Sequence, residues 1–272
     1  MPVKVVNSLL ENAFAVIECL AAQAKTMRLS DIADQLGLQK SGTHRIVTTL
    51  VQLGWVEQDA DTAHYRLTFK LAALGQGFLA STRILDVCQP VLDRVAQESK
   101  ELIRLAVVNN DELITVAHAQ GAQGSLICQS RVFPQLPLHV TASGKAWLAS
   151  LTNEAALKLV LTAGFGAPAD YGPNAVRSAR ELLRDLKATR DRGYGLAREE
   201  AETGLSAVAV PVQSDAGAGK GALAIVAPAV RMNETRQAEL AELAHGAARE
   251  LAMLWPLRNL SWGDIPHPQA VA

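Results

Sequence analysis

Apolar residues recur every three to four positions along the first hundred residues, and beyond them that rhythm alternates with short apolar runs. Residues 7–24 place Leu9, Leu10, Ala13, Val16, Ile17 and Leu20 on one stripe, which predicts a helix. A second, short helix follows in "RLSDIADQLG". Ser30 is its expected N-cap, Ile32, Ala33 and Leu36 its buried side and Gly37 its end. A third begins near Gln39 and runs to about Leu53, burying Ile46, Val47, Leu50 and Val51 until Gly54 stops it. "WVEQDADTAHYRLTFK" then reads as two short strands around a polar turn at residues 59–63. Residues 69–98 are read as mostly helical, with Pro90 in the first turn of a separate helix.

From residue 101 strands join the helices. "LIRLAVV" and "ELITVAHA" flank the turn "NND" as a hairpin, and "SLICQSRV" reads as another strand. "ASGKAWLASL" and "NEAALKLVLTAG" read as helices, the latter with Asn153 and Gly164 at its two ends. "AVRSARELLRDLKATRDRG" is amphipathic, and "LSAVAVPVQ" and "GALAIVAPAV" are expected to be buried strands. A last helix starts from the cap Asn233. The pattern predicts an α+β chain of two domains.

Composition narrows the class. Hydrophobic residues make up 49% and charged residues 19% of 272, so a sizeable core is expected and global disorder is not. Cys19, Cys88 and Cys128 are widely spaced, which gives no disulfide framework or metal-ligand pair and fits a reducing cytoplasm. The N-terminal stripe is interrupted by Asn7, Glu11, Asn12 and Glu18, so neither a signal peptide nor a membrane span is expected.

One stretch departs from the near-neutral balance. Between Asp34 and Glu57 there is no carboxylate, and the third helix opens on Lys40, Ser41, Thr43, His44 and Arg45. A short helix, a glycine turn and a second helix with a polar start make a helix-turn-helix, and the hairpin after it fits a wing. The helix start favours phosphate, and its side chains can reach base edges in a major groove. Candidate DNA contacts are Ser30, Gln39, Lys40, Ser41, Thr43, His44 and Arg45, with His64 and Arg66 on the wing. The competing view is an ordinary three-helix module with a solvated end. Residues 1–70 hold seven Lys or Arg and seven Asp or Glu, so charge alone does not decide.

Three blocks decide further. "LSDIADQLGLQKSGTHRIVTTLVQLGWVEQDADTAHYRL", "LPLHVTASGKAWLA" and "RGYGLAREEAETGLSAVAVPV" resemble, in order and spacing, the IclR-type family of bacterial transcriptional regulators over about residues 6–256. The resemblance implies a winged helix-turn-helix over residues 1–70, linker helices over 71–98, a GAF-like α/β effector-binding domain over 99–256 and a tail over 257–272. It also implies double-stranded operator DNA, a small-molecule effector and a homodimer or homotetramer as partners, with no cofactor. Gly42 stands where the family usually has a hydroxylated or branched residue, so operator preference is expected to differ.

Relatives that sense small oxo-acids line the pocket with an Asp, a Cys and two Ser. The matching positions here are Ala197, Ala207, Ala224 and Val226. Without those polar groups a small, highly charged acid is poorly satisfied, and an aromatic compound or organic acid is expected instead. "ASGKA" starts a helix, so Ala142, Ser143 and Gly144 are candidates to receive a carboxylate. Arg104 lies between two apolar strand faces and either pairs with a ligand carboxylate, pairs with an acid such as Glu199 or Glu200, or emerges at the sheet margin. His118 on the neighbouring strand is a weaker candidate, and His139 is read as structural. "ASGKA" lacks the upstream glycine and the following Ser or Thr of a phosphate loop, and no nucleophile elbow or zinc motif occurs. No enzyme is expected; the alternatives are a ligand sensor that binds no DNA, or an enzyme on a related fold.

Overall fold

A computed structural model describes residues 8–23, 25–123, 127–128, 131, 133, 135–213 and 220–254. The chain divides into two compact units, Met1–Ser81 and Thr82–Ala272.

The first unit is three helices and a hairpin. α1 (Leu9–Ala21) is opened by a capping box between Ser8 and Glu11. α2 (Leu29–Leu36) ends at Gly37, whose φ of 64° is the left-handed turn that glycine permits. α3 (Lys40–Gln52) follows with Gln39 as cap residue. Val16, Cys19, Leu20, Ile32, Ile46, Val47 and Leu50 meet Val56 and Tyr65 in one core. β1 (Val56–Gln58) and β2 (Tyr65–Leu67) pair antiparallel as the expected wing. α4 (Lys70–Thr82) closes the unit with no buried residue at all.

Several local expectations are corrected. Ser30 is not the cap of α2; the cap position is Arg28, and Ser30 lies inside the first turn, its hydroxyl on Asp31. Leu9, Leu10 and Val51 are exposed instead of packed. Pro90 lies well inside α5 (Ile84–Ser99), which starts after Arg83 in a left-handed conformation.

The second unit is built on an antiparallel sheet of order β4-β3-β7-β6-β5. Its strands are β3 (Leu102–Asn109), β4 (Glu112–Gln120), β5 (Gly195–Arg198), β6 (Leu205–Val212) and β7 (Gly221–Pro228). Every residue of the central β7 is buried, so both faces are covered. α5 and α9 (Glu234–Leu254) pack together and against the sheet, so α5, expected as half of a linker, is part of this unit. The opposite face takes α6 (Ala142–Ala149), behind which lie α7 (Asn153–Ala163) and α8 (Ala179–Arg192). Thr152, not Asn153, caps α7. The short β5 was not expected as a strand. The strand expected over 125–132 falls largely outside the described residues, and Ile127, Cys128 and Arg131 are not in a strand. The tail 257–272 also lies outside them.

Candidate functional site

The exposed end of α3 carries the first site. Gln39, Lys40, Ser41, His44 and Arg45 are all exposed, and the first turn contains no acid. Thr43 is not among them: it is fully buried and its hydroxyl donates to the Gln39 carbonyl at 3.1 Å. A helix turns about 100° per residue, so 43 points with 46, 47 and 50 into the core. Thr48 was overlooked. It is exposed, one turn beyond His44 and Arg45 and two beyond Ser41 on the same face, and the period could have found it. On the wing, Arg66 is exposed but paired with Glu57 at 2.5 Å. His64 is half-buried and held between Thr26 and Arg28, so it does not stand out as a free contact.

The second site is a cavity of about 60 Å³ between the sheet and the start of α6. Its floor follows from the sheet register. Ala197 pairs with Ala207, Ala207 with Val226 and Val226 with Leu102, one cross-strand row of side chains on one face. The next row brings Ala209, Ala224 and Arg104 side by side. Ala142 and Ser143 at the start of α6, with Phe133 and Leu136, form the roof. Gly195 fits beneath α6 because a Cβ there would lie 2.3 Å from the Ala142 carbonyl oxygen.

The start of α6 is partly spent on itself. Thr141 accepts the Gly144 N–H at 3.1 Å and donates to the Pro137 carbonyl. Gly144 therefore has no N–H to offer a ligand; it is a glycine because a Cβ would meet the Leu138 backbone at 2.3 Å. The N–H groups of Ala142 and Ser143 lie in the first helical turn, where no backbone partner precedes them. Arg104 donates to the Arg131 carbonyl at 3.0 Å, and burial lowers its pKa while the neighbouring Cys128 and Glu202 oppose that fall.

Neither acid expected beside Arg104 is its ion-pair partner. Glu199, at φ 52°, accepts the Gly204 N–H and shapes the turn before β6. Glu200 pairs with Lys145, which is 1% exposed and also meets Asp185. Burial raises the Glu200 pKa and the Lys145 charge opposes that rise. His118 is exposed and does not line the cavity; His139 is buried. Among the described residues no cluster of His, Cys, Asp or Glu could hold a metal.

Comparison with known proteins identifies the family. Residues 9–60 match the family model of the IclR helix-turn-helix domain, and residues 76–253 match that of the bacterial transcriptional regulator IclR C-terminal domain. The chain belongs to the IclR family. It is 30% identical over 247 residues to the acetate operon repressor of Salmonella typhimurium, covering 90% of this chain and 89% of that one. A crystal structure of an IclR homolog complexed with 4-hydroxybenzoate from Microbacterium hydrocarbonoxydans superposes with a TM-score of 0.68 at 28% identity, covering 90% of this chain and 100% of that one. The IclR transcriptional regulator of Alicyclobacillus acidocaldarius gives 0.76 at 22% identity, covering 90% and 98%, a likeness of fold. This IclR-type chain is thus a transcriptional regulator with an N-terminal DNA-binding module and a C-terminal effector domain. No helix among its described residues is long and apolar enough to cross a membrane.

Proposed function

We propose that the effector of this regulator is an aromatic monocarboxylic acid bound over the row of Ala197, Ala207 and Val226. The observation that carries the reading is the chemistry of that floor: four aligned positions offer only methyl and branched carbon to a ligand, beside one guanidinium. An aromatic ring gains from such a surface, while its carboxylate has Arg104 and the first N–H groups of α6 within the same lining. The relative complexed with 4-hydroxybenzoate supports the same class. A small aliphatic acid suits the present 60 Å³ better by size but leaves its oxygens short of donors over the alanines. An aromatic acid must therefore widen the cavity as it binds. Calorimetry with 4-hydroxybenzoate, benzoate and a two-carbon oxo-acid separates the two. Tighter binding of the aromatic acids, weakened about tenfold or more in Arg104→Ala, is expected; preference for the oxo-acid would reverse the assignment.

For DNA, the reading surface we assign is Gln39, Lys40, Ser41, His44, Arg45 and Thr48, with Ser30 and Arg66 at its margins. The chain acts in the cytoplasm, by binding and without catalysis, as a homodimer reading two half-sites. Dimerisation is supported by α4, where Leu74 and Phe78 are 62% and 61% exposed, and by Leu10 and Phe14 of α1. Selection of duplexes from a random library supplies the operator. On it Arg45→Ala is expected to cost about 1–3 kcal/mol and to relax one base position; unchanged affinity and preference would remove Arg45 from the surface.

A further inference from the structure

Arg28 stands at the junction of the first helix of the helix-turn-helix and the wing. Met27 and Tyr65 form an isolated antiparallel bridge, with both backbone bonds made, at 2.9 and 2.7 Å. Met27 and Tyr65 turn their side chains into the core. Alternation along an extended pair then turns Thr26 and Arg28 outward, together with His64 and Arg66. Arg28 faces His64 across this pair, and its Nε donates to His64 Nε2 at 3.1 Å.

That bond fixes the state of the ring. Arginine is only a donor, so Nε2 must be the acceptor and Nδ1 must carry the proton. Nδ1 then donates to the Thr26 hydroxyl at 3.1 Å. The imidazole is tethered at both nitrogens. It holds the exposed guanidinium without cancelling its charge, and among the described residues no carboxylate pairs with Arg28. Arg66 is the contrast: Glu57 neutralises it. The two Nη groups of Arg28 remain free to fork onto an anion at the start of the helix that crosses the DNA backbone.

We propose that Arg28 is a phosphate contact in the DNA complex, held in place by the wing through His64, and that His64 is a positioning residue. The inference rests on the DNA-binding reading. The restraint matters because an ordered guanidinium has already lost the rotamer freedom that binding would otherwise take from it.

The test uses the full chain and two duplexes, one selected from a random library and one of arbitrary sequence, titrated between about 50 and 200 mM salt. Arg28→Ala should weaken both complexes alike and make the loss of affinity over that range about three- to fourfold smaller per protomer. His64→Ala should move affinity and salt slope in the same direction by less. His64→Gln should restore both, because its amide oxygen can accept from Nε. An unaltered slope in Arg28→Ala, with binding by the parent chain intact, overturns the inference alone. So does a loss in His64→Ala at constant slope that glutamine does not repair, which would make the histidine a structural part of the wing. No salt-dependent binding by the parent chain overturns the DNA reading and this inference with it.

Discussion

His139 is kept neutral by its surroundings. Phe165 and Tyr171 stand edge-on to its ring, each 5.2 Å away, and Nε2 bonds the Phe165 carbonyl at 3.1 Å. Burial lowers its pKa to about 4; the Phe165 bond opposes that and the Lys145 charge adds to it. The unfolded chain takes up the proton near 6.5, so this contribution to stability is complete above that pH and is lost as pH falls towards 4. Up to about 3 kcal/mol is at stake. Urea unfolding at pH 7 and pH 5 should show a drop that His139→Gln, which keeps a donor but cannot titrate, largely removes. An equal drop in the variant would assign the effect to another group. Gly42 is a second single-residue test. A Cβ there meets nothing within 4 Å, so Gly42→Ala should stabilise α3 by up to about 1 kcal/mol in thermal unfolding. If the same variant loses DNA affinity, the backbone approaches the duplex at that point.

Among the elements, α6 ties the second unit together. Lys145 joins it to Asp185 on α8, to Glu200 before β6 and to the Leu196 carbonyl on β5. Lys145→Met would leave two carboxylates facing each other in a buried site, at a cost of about 3–5 kcal/mol measured by denaturant unfolding. A loss under 1 kcal/mol would mean that water or a proton takes the place of the ammonium. Elements of this kind were only half legible in the sequence. Period and caps predicted the existence of α3, α6, α8 and the wing, because these follow from residues within one turn or one hairpin. What stayed hidden depends on distant partners. Glu200 was one of two acids offered as a partner for Arg104, because nothing local announces that it reaches a lysine 55 positions earlier. β5 has only four residues, too few for an alternation to register, and is a strand because β6 pairs with it. Ser30 looked like a cap by type, yet the helix starts two residues earlier, after Arg28 and the bridge at Met27.

At the scale of the molecule, the exposed helix α4 has no buried residue of its own. Thirteen residues with no buried member, among them Leu74 and Phe78, ask for a partner surface. Phe78→Glu is expected to convert a dimer to a monomer in light scattering at micromolar concentration, with α2 and α3 intact by circular dichroism; a monomeric parent chain would refute that. The four positions Ala197, Ala207, Ala224 and Val226 were legible as a set in that they converge in one cavity lining, whereas the spent N–H of Gly144 and the exposure of His118 depend on neighbours that the sequence does not announce. The sealed lysine has a further use. Lys187 is 77% exposed and Lys145 only 1%, so an amine-reactive reagent should label the first at once and the second only when the C-terminal unit opens. The acylation rate of Lys145, followed by mass spectrometry, would then clock that opening in the intact protein. A compound that slows it would be an effector candidate found without DNA or a reporter gene.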